Sequence, residues 1–312
     1  MYEAWLTTFA IAREASILGA ATGDRINVPG VRTIYAAPDV RKRFEVKNIF
    51  RRSKFNSVLH QAWTLTISRE FATDAFADFW LDAIADGEGI TADGTTTRQH
   101  RREREPLTFT ADATLAGESD VARRFRGITL ASVELIVQAR RMIIEETTWS
   151  VLRNDDLPIA DVEDGQTITR QPCTALDATG SLALGSGAWT PAESPTAIFS
   201  GQIMASREIS PCQFDEDGKP SRFNTNGPFE LLGKAILSPE FGSLAELSQQ
   251  AAACRLFWRI GKPSQRIEFE IANGIAKASG TNILHSGDGT LPLDWMARTD
   301  GPGAFITRRL DV

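Results

Sequence analysis

Asp74, Asp78, Asp82 and Asp86 recur at every fourth residue of "REFATDAFADFWLDAIADGEG". Phe76, Phe79, Trp80, Ala83 and Ile84 recur beside them at helical spacing, and Gly87 offers a C-terminal stop. A helix here carries an apolar stripe and, opposite it, a row of carboxylates. Like charges at that spacing repel by about 0.2–0.5 kcal/mol per pair in an isolated helix. The helix dipole compensates Asp74 and Asp78 in the first turns but not Asp86 at the end. Three chemistries fit such a row: a solvated face, a site for a hard cation, or a contact with a basic surface. Carboxylate metal sites on one helix recruit a second helix bearing Glu-x-x-His, and the chain has no such motif. A basic surface does exist: "RKRFEVKNIFRRSK" (41–54) holds seven basic residues and one acid. Arg41, Lys42, Arg43, Lys47, Arg51 and Arg52 are therefore candidate contacts between subunits. Asp82 and Asp86 are the favoured members of the acidic row to meet arginine or lysine across such a contact.

Other chemistry is sparse. Cys173, Cys212 and Cys254 lie far apart, as do His60, His100 and His285, so neither a disulfide framework nor a zinc site has support. The phosphate-binding, dinucleotide, nucleophile-elbow and zinc-protease motifs are missing. The expectation is a protein without enzymatic activity or cofactor. The net charge of −6 argues against a general nucleic-acid binder, although 41–54 and "RQHRRERE" (98–105) are locally basic. Hydrophobic residues at 42% permit a sizeable core, and no apolar run reaches the ~20 residues of a membrane span. "MYEAWLTTFAIAREAS" does not read as a signal peptide. Trp63, Trp80, Trp149, Trp189 and Trp258 read as core or interface anchors.

The elements that must position these residues are mostly strands. Trp63, Leu65, Ile67 and Phe71 alternate with Thr64, Thr66, Ser68 and Glu70, which predicts a half-buried strand running into the acidic helix. "LTFTADATL", "RFRGITLASVELIV" and "RMIIEETTWSVL" predict an antiparallel meander over 107–152. The stretch 87–105 reads as a loop. Strands resume with "AIFSGQIMASREI" and "FELLGKAIL". Ser243 and Glu246 have capping-box spacing ahead of a short helix. After it come "RLFWRI" and "RIEFEIAN", where Glu268 and Glu270 stand opposite Ile267, Phe269 and Ile271. Strand, single helix and strands thus occur in that order twice, suggesting a duplicated architecture.

This order resembles the tail tube proteins (major tail proteins) of long-tailed, non-contractile bacteriophages. The residues that carry the resemblance are "AREASILGAATGD" (12–24), "RTIYAAPDVRKRFEVKNIFRRS" (32–53), the strand entering an acidic-aromatic helix, and Phe125, Gly127, Ile128, Leu130 and Ser132. The resemblance implies a mainly β fold, a β-sandwich or β-barrel with one flanking helix per copy. It implies an N-terminal arm over 1–36, a first copy over 37–153, a linker or surface excursion over 154–196 and a second copy over 197–312. It further implies a virion protein, assembled in the host cytoplasm, that stacks as rings into a tube for DNA ejection. A trimeric, pseudo-hexameric ring is favoured over a hexamer. Implied partners are other copies, the tape measure, terminator and distal tail proteins, and double-stranded DNA passing without specific binding; no membrane is implied. Thr64, Thr66, Ser68, Glu70, Glu268 and Glu270 are then candidates to face the channel, where acids would repel phosphates. Another tail component, such as a terminator or minor tail protein, and a β-sandwich carbohydrate-binding module are the alternative readings.

Overall fold

The computed structural model describes residues 4–40, 61–85, 90–92, 95–99, 106–115, 121–138, 140–168, 170–185, 196–215, 219–225, 229–237, 251–279, 291–297 and 305–310. The chain is mainly β. The strands β1 (Ala4–Glu14), β2 (Ala21–Asn27), β3 (Val31–Val40) and β4 (Gln61–Glu70) lead into helix α1 (Ala75–Ile84). A small hairpin, β5 (Ile90–Ala92) and β6 (Thr95–Gln99), precedes β7 (Phe109–Leu115), β8 (Val121–Val137) and β9 (Ile144–Pro158). Two 3-10 turns, Ile159–Asp161 and Ala175–Asp177, lead to β10 (Ala178–Leu184) and β11 (Thr196–Ser206). Then come the hairpin β12 (Ile209–Phe214) and β13 (Pro220–Thr225), followed by β14 (Glu230–Leu237), β15 (Ala252–Lys262), β16 (Gln265–Ala278), β17 (Leu291–Ala297) and β18 (Phe305–Leu310).

The ladders between these strands are antiparallel, and they close on themselves twice. One circuit runs β1–β7–β8–β9–β4–β3 and back to β1. The other runs β10–β15–β16–β17–β14–β11 and back to β10. Within each set of six, taken in chain order, the first strand pairs with the fourth, then fifth, sixth, third and second. The registers correspond as well. The ladder between β3 and β4 slips by one residue between Val31 and Thr33, and that between β11 and β14 slips likewise between Ile198 and Ser200. Trp149 stands opposite Leu65 and Leu130, and Trp295 stands opposite Gly233 and Ala276. Both indoles are buried. Gly233 is required by this packing, since a Cβ there would lie 1.9 Å from the Gln202 carbonyl oxygen and 2.8 Å from the Trp295 ring.

The circuits are fused where β8 pairs with β11, Ser132–Val137 against Gly201–Ser206. An unbroken run of strands results, β3–β4–β9–β8–β11–β14–β17–β16. The hairpin β12–β13 straddles the fusion. Its Ile209 and Phe223 pack with Leu152 of β9, and the Arg207 N–H donates to the Ala131 carbonyl at 2.9 Å. One contiguous apolar core draws on both circuits, from Phe9 and Ile11 to Leu293 and Trp295.

α1 forms because its start and its buried face are both specified. The Asp74 carboxylate accepts from the Phe76 and Ala77 N–H groups at 3.1 and 3.2 Å, satisfying two donors that a helix start leaves orphaned. Phe76, Ala77, Trp80, Leu81, Ala83 and Ile84 are buried. Phe79 lies 5.4 Å from Phe109 and Phe76 lies 6.1 Å from Trp149, ring centre to ring centre. Each large side chain so buried contributes roughly 1.5–3 kcal/mol.

Three sequence expectations change. Residues expected as an extended arm over 1–36 form β1, β2 and the start of β3. Phe9, Ile11 and Ile26 are buried, and β1 fills its place between β7 and β3. Residues 19–32, punctuated by Gly19, Gly23, Pro29 and Gly30, hold β2 and the turns on either side of it. The segment 154–196 contains the end of β9, both 3-10 turns and β10, which pairs with β11 and β15. The stretch 87–105 contains the β5–β6 hairpin, held against β18. The helix expected after β14 lies outside the described residues.

Candidate assembly site

The acidic row does not behave as one unit. Asp74 is 5% exposed and points inward rather than away from the core. Arg69, fully buried, donates to Asp74 through Nη1 at 2.7 Å and Nη2 at 2.9 Å, and to Glu145 through Nε at 3.0 Å and Nη2 at 2.9 Å. Its guanidinium sits 4.6 Å from the centre of the Phe76 ring. Arg69 and Glu145 face each other across the β4–β9 ladder. Burial pushes the Glu145 carboxyl above the usual carboxylate range, and the Arg69 charge only partly pulls it back. Burial would lower the Arg69 guanidinium, but Glu145 and Asp74 together raise it. This sealed cluster fixes the start of α1 on the sheet. Asp78 and Asp82 are half-buried on α1, and Asp86 lies outside the described residues.

Sequence reading missed Arg69 and Glu145 although the signal was present. Arg69 falls in the inward phase with Leu65 and Ile67, and Glu145 falls in phase with Thr147, Trp149 and Val151. A second ion-pair group was likewise missed. Asp112, 1% exposed, accepts from Arg124 through Nε and Nη2 at 2.7 Å each and lies 3.5 Å from Arg25. Glu163 pairs with both arginines. Cross-strand distance, not sequence distance, assembles both groups.

Thr64, Thr66, Ser68 and Glu70 lie on the outward side of β4 and are half-buried. Register extends their rows across the fused sheet. One row reads Thr66, Thr148, Ser132, Ser206 and Glu230. The next reads Ser68, Glu146, Glu134, Met204, Leu232 and Met296. The Gln202 amide donates to Glu134 across the fusion. Glu70 meets Arg32 at 3.2 Å and Arg170 at 3.5 Å. The face is hydroxyl- and carboxylate-rich over β4, β9 and β8, and gains Met204, Leu232 and Met296 over β11, β14 and β17.

Glu268 does not belong to this face. It is 6% exposed and accepts from Arg259 at 2.9 Å and Arg266 at 3.0 Å. β16 is covered on both sides there, because Arg259 of β15 reaches over the strand while Ile267 and Phe269 enter the core. Glu270 is exposed. Arg41, Lys42, Arg43, Lys47, Arg51 and Arg52 lie outside the described residues.

Among the described residues, no group of three or more His, Cys, Asp or Glu side chains is arranged to hold a metal ion. Burial pushes the Cys173 thiol up to about 11 and the Cys254 thiol up to about 12, which makes both poor nucleophiles at neutral pH. No helix among the described residues is long and apolar enough to cross a membrane. No family model matches the chain, and no curated protein matches it.

Proposed function

We propose that the chain is a structural, non-enzymatic subunit that assembles with copies of itself into rings stacked as a tube, of the kind formed by phage tail tube proteins. The observation that carries this reading is the β8–β11 fusion, which joins two circuits of the same pairing order edge to edge in one sheet. We take these circuits as two copies of one architecture, so that three chains would present six equivalent units around a ring. The hydroxyl- and carboxylate-rich outward face of β4, β9 and β8 is suited to a wet channel that repels nucleic acid phosphates. The buried Arg69 cluster holds α1 on the other side of the sheet, leaving that face free of covering elements from its own helix.

The basic segment 41–54 fits a subunit contact in this reading. It connects β3 to β4, the place that β12–β13 occupies between β11 and β14, and that hairpin reaches across the fusion. Asp82 and Asp86 remain proposed partners for such cations. Electron microscopy and mass measurement of the purified protein test the reading. Rings of three chains, stacking into tubes as concentration rises, are the expected result. A protein that stays monomeric at high concentration, or forms only irregular aggregates, overturns it.

A further inference from the structure

Two residues with left-handed backbone donate to one buried carboxylate. Leu18 and Gly127 each have φ 60°. Glycine adopts that region freely, whereas leucine is strained there. The Leu18 N–H donates to Glu14 Oε2 at 3.1 Å, and the Gly127 N–H donates to Glu14 Oε1 at 2.9 Å. Glu14 itself is 5% exposed. Its carboxylate therefore holds the 15–20 turn against β8 in a conformation that leucine does not favour. Backbone strain of this kind persists only where the surroundings over-determine it.

The turn shares its seat with a second element. Ile17, Leu18 and Ala131 pack against Leu152, Ile209 and Phe223, a cluster separate from the main core. Ile209 and Phe223 come from the hairpin β12–β13, whose strands form a sheet of their own among the described residues. Further ties from the hairpin end to β8 and β9 are the Arg207 N–H bond to the Ala131 carbonyl and the Arg153–Asp215 ion pair at 2.5 Å. An element with so small an apolar seat opens at a lower free energy than the whole fold does.

The Arg126 charge faces Glu14 from β8, and Thr108, just before β7, offers a side-chain hydrogen bond. Arg126 is shared with Asp155 of β9 at 2.7 Å. Burial outweighs these partners and the two N–H groups, and it raises the Glu14 carboxyl above its ordinary value of 4.5. The seated turn thus holds the proton more tightly than a released turn with Glu14 in water.

We propose that Glu14 is the catch of a two-state element, in which the 15–20 turn and the β12–β13 hairpin leave their common seat together and loss of the Glu14 proton favours the leaving. The device stands independently of the subunit reading. Below the ordinary carboxylate value the catch is neutral in both states and the seat is firmest. As pH rises through the raised value, the released state gains.

Hydrogen–deuterium exchange of the whole chain tests this, read by peptide and corrected for the pH dependence of the chemical exchange rate. Peptides covering 15–20 and those covering β12 and β13 should lose protection in parallel between about pH 4.5 and about pH 8. Peptides of β4 and β9 should keep theirs. In Glu14→Gln, which cannot ionise, both segments should respond to pH no more than β4 does. Unequal responses of the two segments, or a pH response that survives in Glu14→Gln, overturn the proposal. Phe223→Ala tests the shared seat without touching the carboxyl. It should deprotect the 15–20 turn at every pH, and a turn left fully protected overturns the coupling.

Discussion

Arg69 is the buried link between α1 and the β4–β9 ladder. It is one buried cation between two buried carboxylates, Asp74 and Glu145, and the same Asp74 caps α1. Removing one partner of a buried ion pair leaves a charge uncompensated, at a cost of about 3–5 kcal/mol. Arg69→Met should therefore lower the free energy of unfolding by about 3–5 kcal/mol, read as a fall in the denaturant midpoint at unchanged slope. A loss below about 1 kcal/mol would mean that the carboxylates are satisfied without it. The helix cap alone could not produce the larger figure, since a cap contributes about 0.5–2 kcal/mol.

At the scale of elements, the turn between β1 and β2 is tied to β8 by one side chain. The Glu14 carboxylate accepts from the Leu18 N–H at 3.1 Å and from the Gly127 N–H at 2.9 Å. Gly127 has φ 60°, and a Cβ there would lie 2.8 Å from the Leu152 side chain, so the strand turns at this point only with glycine. Burial raises the Glu14 carboxyl above its ordinary value of 4.5, against the lowering by its hydrogen bonds to Gly127, Thr108 and Leu18 and by the Arg126 charge. The folded chain thus holds this proton more tightly than the unfolded chain does. Its contribution to stability is fully present below the ordinary carboxylate pKa and is lost as pH rises through the raised value. The melting temperature of wild type minus that of Glu14→Gln should become more positive as pH falls from 7 towards the ordinary carboxylate value of 4.5. A difference that becomes more negative contradicts the raised pKa.

For the whole molecule, the proposed self-assembly would rest on contacts between copies rather than on the core that the two circuits share. The proposed contact through 41–54 gives a direct expectation. Reversing charge at Arg41, Arg43, Arg51 and Arg52 should leave the melting temperature within a few degrees, because exposed ion pairs contribute only about 0–1 kcal/mol each. Assembly should be lost or shifted to higher concentration, as measured by sedimentation across a salt series. Normal tubes from that variant would remove the segment from the contact.

The sequence by itself determined the local periodicities. Alternation at Leu65 and Ile67 against Thr64, Thr66 and Ser68 fixed which face of β4 is inward, and Phe76, Trp80 and Ala83 fixed the buried side of α1. Both follow from chain geometry, period 2 in a strand and 3.6 in a helix. The meander over β7, β8 and β9 was equally legible, since short connections join neighbouring antiparallel strands. Only the tertiary structure decided which polar residues are covered. The partner of Arg69 lies at Glu145, and that of Glu268 at Arg259, each supplied by a paired strand. Asp74 and Asp82 share a spacing, yet one is sealed beneath the first turn because Arg69 waits there. The roles of β1 and β10 were also hidden. A strand's place in a closed circuit depends on partners such as β7 and β15, which lie tens of residues away and leave no trace in local pattern.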